Sequence, residues 1–163
     1  MTDIWDARAF RNALGCFVTG VTVVTSRAPD GSPVGMTVNS FNSVSLDPPL
    51  ILFSLARSAK SLGIFEQAPH YAVNLLCADQ RELSNRFARS LDDKWRDVNH
   101  EYGKYGTPLL PSTMAWFECK NYAHYDGGDH VIFVGQVLDM FVDAAATPLV
   151  YYRGSYVSLA PKE

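Results

Sequence analysis

The sequence predicts a mainly β fold with short helices, arranged as an antiparallel, Greek-key-like barrel. Three observations predict it. Segments rich in β-branched residues follow one another along most of the chain. No regular helix separates one strand from the next, which argues against a doubly wound parallel sheet. Gly or Pro stands at the joints between segments.

Residues 3–17 open the chain with Phe10, Ala13, Leu14 and Phe17 at helical spacing. Asp3 or Asp6 is available as N-cap, and Gly15 marks the stop. Residues 18–26 read as a strand, Pro29-Asp30-Gly31-Ser32 as a turn, and residues 34–46 as a second strand completing a hairpin. Pro48-Pro49 interrupts, and residues 50–55 form a short buried strand. A short helix is expected over 58–67, with Ser61 as its cap and Pro69 beyond its end. Residues 71–76 are a strand, and 79–88 a polar helix with Leu83 and Phe87 on one face. Residues 90–110 read as a charged loop or irregular helix containing Trp95. Long strands over 115–125 and 130–142 flank Asp126-Gly127-Gly128-Asp129. Residues 149–152 close a count of about six or seven strands, with Tyr156 in the tail.

A chain of 163 residues is expected to form a single domain, residues 1–163, with a core of its own. Apolar residues make up 47% and charged residues 19%, a globular composition. A net charge of −3 argues against nucleic acid or an anionic membrane as the main partner. Cys16, Cys77 and Cys119 are odd in number and widely spaced, so neither a disulfide framework nor a zinc site is implied. The acidic start Met1-Thr2-Asp3 lacks the pattern of a secretory leader, and no apolar stretch reaches the ~20 residues of a membrane span. A cytoplasmic location is expected.

Two segments carry candidate chemistry. In residues 33–50, Thr37, Asn39, Ser43 and Ser45 share one parity, which would set a polar ladder on one face. Such a face can simply meet water. Uncharged hydroxyls and an amide also suit the donor and acceptor edge of a planar heterocycle, and composition leaves these two readings equal. In residues 54–62, Arg57, Lys60, Ser58 and Ser61 surround an expected helix start, a setting that attracts phosphate. Taken alone, that segment fits a capped surface helix with solvated charges better.

Residues 14–25, the run Ser43-Val44-Ser45-Leu46-Asp47-Pro48-Pro49-Leu50, and Ala56-Arg57-Ser58-Ala59-Lys60-Ser61 resemble, in order, landmarks of the short-chain flavin reductases. So do Tyr71-Ala72-Val73-Asn74-Leu75-Leu76, Phe87-Ala88, Gly128-Asp129-His130 and the ending 148–156. The resemblance covers about residues 10–156 and implies an FMN-binding split β-barrel, usually a homodimer. It implies hydride transfer from NADH, with NADPH possible, to FMN or FAD. Reduced flavin then serves a separate monooxygenase that hydroxylates an aromatic or phenolic substrate.

Carried to this sequence, the resemblance places Met36, Thr37, Val38, Asn39 and Ser40 along the flavin ring, with Ser45 in the same diagnostic stretch. Ser54 would lie near the ring or ribityl chain, and Arg57, Ser58 and Ser61 would hold the phosphate. Phe87 would pack near the ring, His130 would approach the nicotinamide or the flavin edge, and Tyr156 would close the site. The cofactors carry the electronics of hydride transfer, so the protein supplies approach and orientation, and no metal is expected. His130 is read as a positioning donor, whereas His70, His100 and His124 are read as structural or surface residues. Trp5, Trp95 and Trp116 are read mostly as core or dimer interface. Two rival readings share the barrel. One is a pyridoxamine-phosphate-oxidase-like flavoenzyme; the other is a non-catalytic module that binds flavin or haem.

Overall fold

A computed structural model describes residues 6–160; Asp3 and Trp5 lie outside them. The Asp6 side chain accepts from the Arg8 N–H at 2.9 Å and caps α1 (Ala7–Leu14), which ends at Gly15. No residue of α1 is buried, and Phe10 and Leu14 stand 55% and 59% exposed.

The strand expected over 18–26 is two strands, β1 (Thr19–Gly20) and β2 (Thr22–Arg27), because the chain changes sheets at Val21. The segment expected as one strand over 34–46 is also divided. β3 (Pro33–Val38) pairs with β2, whereas β4 (Asn42–Leu46) pairs with β5 (Pro49–Ala56). The break at residues 39–41 and a bulge between Ser43 and Ser45 interrupt the two-residue period, so the continuous polar ladder does not form.

Then follow α2 (Leu62–Gln67), β6 (His70–Leu75) and α3 (Arg81–Ala88). Next come β7 (Glu101–Tyr102), β8 (Pro108–Leu109), β9 (Ala115–Gly127), β10 (His130–Val142), β11 (Val150–Tyr152) and β12 (Ser155–Val157). The loop expected over 90–110 thus contains a small ribbon, β7 with β8.

Seven antiparallel strands run in the order β3-β2-β6-β9-β10-β5-β4. The two edges of this sheet, β3 and β4, are consecutive in the chain and joined only by residues 39–41. The sheet therefore returns to itself without a hydrogen-bonded seam, which is the split in the barrel. A second sheet, β1-β11-β12, covers one side.

Adjacent residues of β2 feed different cores, as a strand's alternation requires. Val24 joins Phe53, Phe65, Tyr71, Cys119 and Phe133, while Val23 joins Leu76, Phe87, Leu110 and Leu149. Both faces of β2 are covered, so its run of Val, Thr and Ser needs no exposed polar side. In the first core Phe53 stacks on Phe133 at 5.2 Å and meets Tyr71 edge-on at 5.0 Å. Phe65 of α2 has no exposed surface and closes this core against Phe53 and Phe133.

Candidate active site

The split between β3 and β4 places the polar residues of this region in two neighbouring cavities. One, of about 370 Å3, is lined by Met36, Thr37, Ser58, Ser61, Lys94 and Trp95 among others. The other, of about 510 Å3, takes Asn39, Ser40 and Thr19 together with apolar Phe17, Leu52 and Met114. Ser40 and Ser54 link β5 to the corner between the edges: Ser40 Oγ accepts from the Ser54 N–H at 2.9 Å.

Unpaired polar groups face these cavities. The Ser58, Ser61 and Asn39 side chains make no hydrogen bond among the described residues. Two buried groups, Thr19 Oγ1 and Trp95 Nε1, also lack a partner. Buried donors and acceptors left unmatched by the protein are costly, and a ligand that satisfies them recovers that cost. Lys60 is among the lining residues of the first cavity, and its ammonium lies 3.9 Å from Asp92, both side chains largely exposed. Lys94 Nζ donates to the Phe87 carbonyl at 2.9 Å, and burial holds its pKa below that of an ordinary lysine.

A relay of hydrogen bonds stands behind Thr37. Its hydroxyl donates to the Ser84 carbonyl of α3 at 2.6 Å, and the Ser84 hydroxyl meets the Tyr156 hydroxyl at 2.8 Å. Tyr156 also donates to Asn85 Oδ1 at 2.9 Å. Tyr156 therefore reaches the site through α3 and lines neither cavity.

Other expected site residues are placed differently. Val38 and Phe87 are buried in the two cores, Phe87 with no exposed surface. Phe87 backs the first cavity from inside by packing edge-on against Trp95 at 4.9 Å. Ser45 pairs opposite Leu50 and lines neither cavity. Arg57 also lies outside both linings: its guanidinium is held by Asp126 and donates to the Gly128 carbonyl at 2.8 Å. α2 begins at Leu62 with Ser61 at its N-cap position, and the Ser61 hydroxyl makes no capping hydrogen bond.

His130 opens β10 opposite Ala56, and Ala56 lines the first cavity. Its Nδ1 lies 2.7 Å from Asp129 Oδ1. That hydrogen bond from His130, with the charge of the ring beside it, holds the Asp129 carboxyl below its usual range. The contact fixes the ring and leaves 45% of the His130 side chain exposed. Lys94 and the lining residues Arg89, Ser90, Leu91 and Asp92 were not among the expected site residues. Lys94 belongs to the charged loop, where a cation has no pattern of its own.

Residues 14–160 match the flavin reductase like domain. The chain belongs to this family. Flavin reductases of several bacteria are similar to it over most of its length. The reductase component of a flavin-dependent trigonelline monooxygenase from Acinetobacter baylyi is 44% identical over 94% of this chain, but the match covers 49% of that protein. An FMN reductase (NADH), SmoA of Agrobacterium fabrum, is 53% identical over 82% of this chain and 75% of its own length. Among solved structures, a Streptomyces globisporus NADH:FAD oxidoreductase with bound NAD and FAD fragments superposes with a TM-score of 0.92 at 36% identity. That match covers 99% of this chain and 97% of the other. The flavin reductase fold therefore spans the described chain, whereas the chain spans only about half the length of some relatives it matches.

Proposed function

We propose that this chain is an NAD(P)H-dependent flavin reductase that passes hydride from NADH to FMN or FAD and supplies reduced flavin to a partner monooxygenase. The observation that carries this reading is the set of polar groups without a partner among the described residues on both sides of the barrel split, from Ser58 and Ser61 to Asn39 and Thr19, with the exposed Lys60 ammonium beside the first two. Their spread suits a ligand with a phosphate at one end and a hydrogen-bonding ring at the other. The relatives named above support NADH as donor and flavin as acceptor.

Bound flavin would supply the hydride-accepting ring. The chain's own residues do the rest. Lys60 brings a cation and Ser58 and Ser61 two hydroxyls to a phosphate. Thr37 and Met36 form the wall between β3 and the first cavity. Asn39 offers a free carboxamide, which matches alternating donors and acceptors. His130, oriented by Asp129, donates from the rim to an incoming nicotinamide or to the flavin edge. Phe87 and Trp95 keep the inner wall dry and rigid. Holding two rings in reacting geometry is worth several kcal/mol of barrier by itself.

Residues 1–163 are proposed to act as one flavin reductase domain, and as a homodimer. Phe17 at 78% exposed, Leu46 at 96% and Leu14 at 59% are apolar surface that a second copy would bury. No helix among the described residues is long and apolar enough to cross a membrane. A cytoplasmic site of action and a partner oxygenase acting on an aromatic substrate complete the proposal.

The test is NADH oxidation followed at 340 nm with purified protein, with and without FMN or FAD. Flavin-dependent oxidation is the expected result. Flavin binding without oxidation of either nicotinamide nucleotide would turn the reading to an oxidase or carrier on the same barrel.

A further inference from the structure

The turn that carries His130 is short and lightly built. β9 ends at Gly127 and β10 begins at its register partner His130, so Gly128 and Asp129 make the whole connection. Gly128 holds a φ of +75°, and a Cβ there would meet nothing within 4 Å. The Asp126 and Asp129 side chains are 80% and 94% exposed. Side-chain packing therefore does little to hold this turn, and two glycines in a row give its backbone many conformations to choose from.

One residue beside a neighbouring strand supplies the hold. Arg57 follows Ala56, the last residue of β5 and the partner of His130. The Arg57 N–H donates to the Asp129 carbonyl at 2.8 Å. Its Nε donates to the Gly128 carbonyl at 2.8 Å, and its Nη2 to the Asp126 carboxylate. A planar guanidinium serves two acceptors at once in fixed geometry, whereas an ammonium on a flexible stem has no such fork. Arg57 thus grips three of the four residues 126–129.

The grip bears on His130 through Asp129. Asp129 Oδ1 orients the imidazole from 2.7 Å. An exposed side chain points where its backbone sends it, and Arg57 holds that backbone. Ala56 and Ser58, on either side of Arg57, both line the first cavity. Arg57 therefore ties the wall proposed to take the flavin phosphate to the rim that carries the imidazole.

We propose that Arg57 is a positioning residue for hydride transfer: it clamps the β9–β10 turn so that His130 meets the nicotinamide in one orientation, and it leaves the flavin phosphate to Lys60, Ser58 and Ser61. The proposal rests on the reading of His130 as a donor to the incoming nicotinamide. Without the clamp, Asp129 and His130 would swing together, keeping their hydrogen bond and losing its aim.

The test compares Arg57→Ala, Arg57→Lys, His130→Ala and the double variant Arg57→Ala/His130→Ala with the wild type. Arg57→Ala and His130→Ala are each expected to lower kcat/KM for NADH about tenfold, and the double variant about tenfold rather than a hundredfold, because both remove the same contact. Arg57→Lys is expected to behave like Arg57→Ala, since it keeps the charge and loses the fork. FMN affinity, read by flavin fluorescence, is expected to stay unchanged in all four, which also shows that they are folded. In the flavin-free protein, amide exchange followed by NMR is expected to quicken at residues 126–130 in Arg57→Ala and to stay as in the wild type at 131–137. FMN binding that weakens in Arg57→Ala and recovers in Arg57→Lys makes Arg57 a phosphate ligand and overturns the proposal. Additive losses in the double variant, or unchanged exchange in the turn, overturn it as well. A His130→Ala variant with wild-type kinetics overturns it together with the reading of His130 and leaves the reductase reading intact. Wild-type protein without flavin-dependent NADH oxidation overturns the reductase reading too.

Discussion

Gly35 faces the edge of the Phe87 ring so closely that a Cβ at Gly35 would stand 2.9 Å from Phe87 Cε1. Trp95 Cζ2 would be 3.2 Å away. The inner wall of the first cavity is therefore packed on a missing side chain. Gly35→Ala is expected to destabilise the fold by about 1–3 kcal/mol through overpacking, and to weaken flavin binding by moving Trp95. Thermal unfolding and flavin titration read the two effects. Phe87→Leu in the same chain is expected to relieve part of the first.

The Thr37–Ser84–Tyr156 relay couples β3 to the C-terminal strand through α3. Ser84→Ala and Tyr156→Phe each remove one side of the same 2.8 Å contact. Each is expected to cost about 1 kcal/mol, and the double variant less than their sum. Denaturant unfolding of the four proteins gives the coupling. Strict additivity would show that Tyr156 acts without Ser84.

His130 and Asp129 are expected to separate nicotinamide from flavin effects. His130→Ala should lower kcat/KM for NADH about tenfold or more while leaving flavin affinity in place. Asp129→Asn, which keeps the shape but loses the charge that orients the ring, should fall between. Steady-state kinetics at saturating flavin, with a separate flavin titration, check both. Asn39→Ala is expected to do the opposite, weakening flavin binding because a free amide at the ring edge is lost.

Alkaline pH should unfold the protein through one core. Tyr71 and Cys119 are register partners on β6 and β9, both without exposed surface. Burial pushes the Cys119 thiol from 9.0 up to about 12 and raises the Tyr71 phenol from its usual 10.0. Above about pH 9 the unfolded chain releases protons that the folded chain retains. Their stabilising effect is full below pH 9 and is lost as pH rises towards 12. Tyr71→Phe is expected to flatten that fall. At neutral pH it should leave stability equal or slightly higher, because the Tyr71 hydroxyl is buried without a partner. Urea unfolding at pH 8 and pH 10 measures both.

The longer strands, the helices and the order of elements were legible because they rest on local signals: β-branched runs, Asp30-Gly31, Gly15, Pro69; the two- and three-residue strands β1, β7, β8 and β12 carry no such signal. The division of residues 34–46 was not legible. Nothing in Asn39-Ser40-Phe41 marks the point where a strand leaves one edge of a sheet for the other. That division also leaves Ser45 outside both cavities and puts Thr37 and Asn39 in different ones. Ser58 and Ser61 stand beside a cavity. Arg57 does not, because Asp126 lies 69 positions along the chain and claims its guanidinium. No local pattern reports such a partner.

The open seam between β3 and β4 has a consequence for how this protein can change over evolutionary time. Each of these strands has one neighbour and one side with no strand beside it, so amide and carbonyl groups on that side can serve a guest, apart from the Gly35 carbonyl, which accepts from Lys94 at 3.4 Å. Contacts made by the main chain are spelled the same way by nearly any side chain. Mutation at the outward positions of this corner can then drift widely without erasing recognition, whereas an insertion or deletion of a single residue there would shift every such group out of step.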